Sequence, residues 1–266
     1  MNSKQKRLPR TIIRVGRQSL YFVMPAADGS GEVAGHPYTV KSGMSMAANL
    51  RAAFRDIPSL TASSNRAQVV VDAPVALIPM EEYDEADAEQ LFFHTFPNNR
   101  HEAVMTNVVP DLNCVAAFSV NKDLRVVVTD HFDDVRFLPV VIPVCRHLHQ
   151  HSHVGHSRKL YAYQHDSQLT IASYATNRFR FMNTYNATEV QDAAYFVLYV
   201  WQQLGMSNQK DEIYIMGDAR NIAELKGELQ KYVANVYSIS PSAEFNRAPV
   251  TRHPNITYDI ICLCES

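Results

Sequence analysis

The chain has 266 residues, 46% of them hydrophobic and 20% charged, with a net charge of −2. That length supports one large domain or two lobes with cores of their own, the composition excludes a disordered chain, and the charge excludes a strong field drawing in nucleic acid or an anionic membrane. The 9 glycines leave little backbone free to approach and cradle a phosphate.

Cys114, Cys145, Cys262 and Cys264 form neither a disulfide framework nor a pair of CxxC motifs, and read as the reduced thiols of a cytoplasmic protein. The basic residues near the start are not followed by the apolar core of a secretory leader. No apolar run has the length of a membrane span.

In chain order, Lys4, Lys6, Arg7, Arg10, Arg14 and Arg17 read as a solvated tail leading into an edge strand. Strands are expected at 12–15 and 20–24. "ADGSGEVAG" (27–35) reads as a loop leading to a strand at 38–40, and Gly29, Gly31 and Gly35 lack the spacing of a dinucleotide fingerprint. "SGMSMA" (42–47) has Ala47 where a nucleophile elbow needs glycine, so it supplies a capping serine to a helix over 46–55, with Leu50 and Phe54 at i, i+4. A strand at 68–71 follows. The helix "DEADAEQLFFHTF" begins at Asp84, its early acids suiting the positive end of the helix dipole. Strands near 103–109 and 112–120 precede a helix after Asn121.

"CRHLHQHSHVGH" (145–156) holds five of the eleven histidines. On a strand, His147, His149, His151 and His153 would share one face, as a metal site needs. The spacing of Val141, Val144, Cys145 and Leu148 instead predicts a helix over 143–152, closed by a loop at Gly155. On that helix His147 and His151 pair on one side and His149 and His153 on another, so His147 with His151 is the weak metal candidate.

The second half predicts a meander at 159–164, 169–174 and 178–183, with "HDSQ" (165–168) as its first turn. A capping box of Thr188 with Gln191 opens a helix over 189–204 that is apolar nearly all round, contains Trp201 as core, and stops at Gly205 in the C′ position. A strand at 212–216 leads to a helix capped by Asn221 with Glu224, burying Ile222, Leu225, Leu229 and Val233. Strands at 236–239 and 258–263 finish the chain, the last placing Cys262 and Cys264 on one face as packed thiols. Each half thus repeats meander, helix, strand, helix, strand, which argues for α/β lobes.

"NTYNATEVQDAAYFVLYVWQQLG" (183–205), "DEIYIMGD" (211–218) and "VYSISPSAEF" (236–245) resemble an uncharacterised bacterial family, a domain of unknown function assigned an actin-like ATPase, or ribonuclease H-like, fold. The resemblance implies two lobes with a cleft between them. The first would span 1–157 with the basic tail. The second would span 158–266, with a C-terminal strand that completes either lobe. Actin-like ATPases bind nucleotide through an Asp-x-Gly turn in the first hairpin of each lobe and a glycine pair near the adenosine. Carried to this chain, those elements fall on Gly16 and Arg17 in "VGRQS" (15–19), Asp166 and Ser167 in "HDSQ", and Gly217 and Asp218 in "MGDA" (216–219). Each departs from the pattern. Arg17 stands where a metal-binding acid is wanted, no glycine follows Asp166, and Asp218 puts a phosphate-repelling carboxylate in place of the second glycine. The residues therefore read as a degenerate actin-like fold serving as a non-catalytic binding or scaffolding protein. Its expected partner is another protein, with no specific nucleic acid and no membrane insertion. Two readings compete: a divergent ATP-binding protein or ATPase using Asp166 and Gly217 with ATP and Mg²⁺, and a metal-binding module on 147–156.

Overall fold

Alternation of apolar side chains makes the first strands. β1 (Thr11–Val15) buries Ile13 and Val15 on one face and pairs antiparallel with β2 (Leu20–Pro25), which pairs with β3 (Val33–Tyr38). The computed structural model describes residues 10–25, 33–62, 64–152, 157–175, 178–217, 219–245 and 256–265. α1 (Met46–Asp56) starts at Ser45, whose side chain accepts from the Ala48 N–H, and is followed by α2 (Ser59–Ala62). β4 (Arg66–Val71) then runs parallel to β1. β5 (Val75–Pro79), α3 (Ala88–Thr95), β6 (Ala103–Val109) and β7 (Cys114–Val120) form a small insertion, with an antiparallel sheet in the order β5-β7-β6. α4 (Lys122–Thr129) returns to β8 (Asp134–Pro139), parallel to β4. The first large sheet has the order β3-β2-β1-β4-β8.

After α5 (Val141–His151) the plan recurs without the insertion. β9 (Lys159–His165), β10 (Gln168–Ala175) and β11 (Arg178–Asn186) form the meander. α6 (Val190–Gln203), β12 (Glu212–Gly217), α7 (Ala219–Gln230) and β13 (Asn235–Ser238) complete the sheet, and α8 (Pro241–Glu244) and α9 (Tyr258–Glu265) follow. The order β11-β10-β9-β12-β13 matches that of the first sheet, strand for strand. The chain divides into two compact units, one of 1–109, 113–140 and 252–256, the other of 110–112, 141–251 and 257–266, so α5 groups with the second sheet.

Each unit closes over its own apolar core. In the first, Leu50, Phe54 and Leu124 from the helices pack on Ile13, Phe22 and Val69. In the second, Val197 and Trp201 of α6 and Leu225 and Leu229 of α7 pack on Leu160, Ile171 and Ile213. Full burial of each such side chain is worth about 1.5–3 kcal/mol. Trp201 also donates from its indole N–H to Asn208 at 2.8 Å. α6 ends as its sequence predicts: Gly205 sits at φ +57°, its N–H donates to the Gln202 carbonyl, and the Met206 N–H donates to that of Trp201.

An arginine–aspartate clamp holds the strand starts of each unit. Arg10 and Arg66 grip Asp134 at 2.5 and 2.9 Å, and these bonds, Arg10 first, hold its carboxyl down at about 2. In the second unit Arg158 reaches Asp211 at 2.7 Å while its other donors meet the Leu204 and Gly205 carbonyls at the end of α6. Burial alone would raise Asp211, but the Ser207 N–H and the Arg158 donors outweigh it and hold the carboxyl below its ordinary range.

Several expectations are corrected. Residues 258–263 are helical: α9 packs on α5 within the second unit, and a short apolar run reads equally well as either element. On a helix, residues two apart point about 200° apart, so Cys262 is buried while Cys264 is half-buried, and they do not share a face. β1 is the central strand, not an edge: Arg14 within it is buried and Arg10 before it is ion-paired with Asp134, whereas Arg17 beyond it is exposed while facing Asp72; Lys4, Lys6 and Arg7 lie outside the described residues. β3 lies at Val33–Tyr38, ahead of the expected 38–40. α3 begins at Ala88 because Asp84 turns the chain first, its carboxylate accepting the Ala86 N–H at 2.8 Å. The Thr188–Gln191 box does not form; Glu189 is the N-cap residue and makes no side-chain cap bond. α7 starts at Ala219, so Asn221 lies inside its first turn. α6 is not buried all round: Tyr195 and Tyr199 are exposed and stack on each other.

Candidate functional site

The first hairpin of unit one turns at Gly16–Ser19, where the Gly16 N–H donates to the Ser19 carbonyl at 2.9 Å and leaves Arg17 and Gln18 at the tip. Arg17 lies 3.5 Å from Asp72, which immediately follows β4 and whose side chain is only 4% exposed. A pocket of about 220 Å³ opens here, lined by Gly16, Arg17, Asp72, Glu102, Ser119 and Asn121 among others. Ser119 donates to Glu102, and the Asn99 amide donates to Glu102 at 2.8 Å and to Ser119 at 3.3 Å. Asn121 caps α4, accepting the Leu124 N–H at 3.0 Å. The pocket therefore presents two carboxylates and one guanidinium, with the cation set against Asp72 and the second carboxylate held by neutral donors.

The corresponding hairpin of unit two is tighter. Asp166 and Ser167 take φ +44° and +63° between the paired His165 and Gln168, as a two-residue type I′ turn requires. Glycine or asparagine suits those positions better than serine. Gly217, the last residue of β12, sits beside Gln164 at φ +115°, and a Cβ there would come within 1.9 Å of the Gln164 carbonyl oxygen. Its glycine is thus required by the approach of two strands, with no appeal to a nucleotide. A pocket of about 290 Å³ is lined by Gln164, His165, Ser167, Gln168, Thr188 and Asn221, with no Lys or Arg among its described lining residues. His165 is tied through Nε2 to Thr170 at 3.1 Å, and Thr170 to Thr184 at 2.9 Å. Gly16 and Arg17 thus share one pocket, while Ser167 lines the other, whose described lining includes neither Asp166 nor Gly217. Asp218 lies outside the described residues.

The histidine tract forms the end of α5, where His147 and His149 take different partners; the His151 side chain lies outside what is described, and with it the His147–His151 candidate pair. His147 Nε2 meets Glu244 of α8 at 2.8 Å, and the other Glu244 oxygen accepts from Tyr258 at 2.7 Å. Phe245 and Tyr258 ring the same imidazole. His149 instead packs on Tyr174, whose hydroxyl donates to the Cys145 carbonyl. The His147 partner stands 97 residues away in sequence, which no local spacing could reveal. The tract beyond Ser152, including His153 and His156, lies outside the described residues. Close by, Tyr163 donates to the fully buried Asp259 at 2.8 Å. Among the described residues no helix is long and apolar enough to cross a membrane.

Comparison with solved structures assigns the architecture. A Bacteroides thetaiotaomicron protein with actin-like ATPase fold and unknown function superimposes with a TM-score of 0.84 at 22% identity, over 100% of this chain and 99% of that one. The PilM–PilN type IV pilus biogenesis complex matches with a TM-score of 0.54 at 13% identity, over 97% of each chain. At these identities the likeness establishes the fold: two sheet-based lobes of the actin-like ATPase type. No curated protein matches the chain in sequence. A family model, "Protein of unknown function (DUF3822)", matches residues 1–236. The chain belongs to the DUF3822 family, on an actin-like ATPase fold.

Proposed function

We propose that this chain is a non-catalytic binding or scaffolding protein of the cytoplasm, built on a degenerate actin-like ATPase fold and acting through a protein partner. The observation that carries the reading is the Arg17–Asp72 pair. Phosphoryl transfer depends on positioning and on Mg²⁺ neutralising the phosphates. In the first hairpin a guanidinium occupies the tip where an acid would serve the metal, and the nearby acid already faces that guanidinium. Tight packing accounts for Gly217, and the described lining of the second pocket supplies no cation for a phosphate. One structural neighbour, PilM, forms a complex with PilN, which supports a role through complex formation. Four free cysteines support a reducing compartment.

The test is titration calorimetry with Mg-ATP, followed by a phosphate-release assay on the purified chain. The expected result is no turnover above the buffer rate, unchanged in Asp166→Asn. Micromolar ATP affinity, with turnover abolished by Asp166→Asn, overturns the reading in favour of a divergent ATPase.

A further inference from the structure

The insertion between β4 and α4 carries a surface that the core of the first unit does not use. α3 is anchored by one side: Phe92 is fully buried against Ile78 and Ala117, with Phe96, Val104 and part of Phe93 packed around it. Its remaining surface faces outward. Leu91 is 45% exposed and Phe93 half-buried, and a groove of about 910 Å³ follows the helix, lined by these two with Asp87, Glu89, His94 and Arg100 among others.

The lining sets Asp87 and Glu89 against Arg100, but the stretch of chain leading into α3 is charged on one side only. Between residues 73 and 99 the chain has Glu81, Glu82, Asp84, Glu85, Asp87 and Glu89, and neither lysine nor arginine. All six carboxylates are exposed. None meets a cation at ion-pair distance among the described residues, whereas Asp72, Asp111, Asp134 and Asp211 elsewhere each do. Six unpaired like charges on one short stretch repel one another, and a partner of opposite sign relieves that cost.

We infer that the exposed face of α3 is a docking groove for a basic amphipathic helix of a partner protein. That helix would seat Leu or Phe side chains against Leu91 and Phe93, and its flanking lysines or arginines would meet the acidic rim. This is the helix-in-groove mode, in which apolar anchors carry affinity and the charged rim steers and orients the approach. The inference rests on the binding reading above and names the partner's chemistry.

Fluorescence anisotropy tests it with two labelled lysine–leucine peptides of equal composition, one with helical apolar spacing and one scrambled. The full-length chain is expected to bind the amphipathic peptide about tenfold more tightly than the scrambled one. Leu91→Ser should remove that preference. The triple reversal Glu82→Lys, Glu85→Lys and Glu89→Lys should weaken binding at least as much and flatten its salt dependence. An equal charge change on other helices, Asp123→Lys with Asp192→Lys and Glu224→Lys, should preserve the preference for the amphipathic peptide; circular dichroism confirms that each variant is folded. Equal binding of both peptides, or a preference that survives Leu91→Ser, overturns the inference. Sedimentation covers the other occupant: self-association that Leu91→Ser abolishes, without peptide binding, gives the groove to a second copy and overturns the assignment to a partner protein. Failure of peptide binding without ATP turnover removes the groove alone, whereas ATP turnover removes the scaffold reading whatever the peptide does.

Discussion

The two five-stranded sheets share one strand order, yet their first hairpins carry opposite charge: Arg17 at one tip, Asp166 at the other. The closing pairs, Gly16 with Ser19 and His165 with Gln168, put these two residues in the same turn position. The backbone differs as well. Asp166 and Ser167 take positive φ, while neither Arg17 nor Gln18 does. Just before the turns, Val15 of β1 lies beside Val71 of β4, whereas Gln164 of β9 lies beside Gly217 of β12. Topology repeats because hydrophobic burial asks only for the right period, while the turns are free to diverge because they bury little. The difference teaches that likeness of fold says nothing about whether a site is retained; that depends on a few residues at the strand ends.

Three substitutions in the second unit sharpen this comparison. The largest effect is expected from Gly217→Val, which gives the second unit the residue that the first carries at Val71. With φ +115° and only 1.9 Å to the Gln164 carbonyl oxygen, a side chain forces the strands apart. A loss of about 4 kcal/mol is expected in urea unfolding. A loss below about 1 kcal/mol would mean that the two strand ends are interchangeable after all.

Next comes the clamp. Asp211→Asn should cost about 2 kcal/mol, less than a fully buried pair because Arg158 is 41% exposed. Its pH dependence has a definite sign. The folded carboxyl is depressed, so its contribution is complete above the ordinary carboxylate range and is lost as pH falls through the lower folded value. The wild type should therefore lose stability below about pH 4 more steeply than Asp211→Asn, measured as melting temperature against pH. Parallel curves would place the acid sensitivity elsewhere, with Asp134 of the first unit the next group to vary.

The smallest effect, and of opposite sign, is expected from Ser167→Gly. Relieving a left-handed serine in the type I′ turn should raise stability by about 0.5–1 kcal/mol. The same change at Gln18, whose φ is not positive, should give no gain. A gain at both would show that the two turns are conformationally alike and only their side chains differ.

Sequence alone determined what depends on local periodicity. The second meander, the first two strands of the first, α1 with its serine cap, and the glycine stop of α6 were all legible, because helix and strand periods and a C′ glycine are properties of neighbouring residues. So were the hairpin turns at 15–19 and 165–168 as turns. The edge strand β8 went unread because Arg136 and Asp134 interrupt its apolar run, and α9 was misread because a short apolar run shows neither period clearly. What only the tertiary structure decided is which distant groups meet. His147 meets Glu244, Arg17 meets Asp72, and Gly217 is jammed against Gln164, each a contact across strands or helices far apart in sequence. The reason is physical: local propensity sets where a backbone bends, whereas the partner of a buried charge or a missing side chain is set by packing, which brings together residues that no sequence window contains.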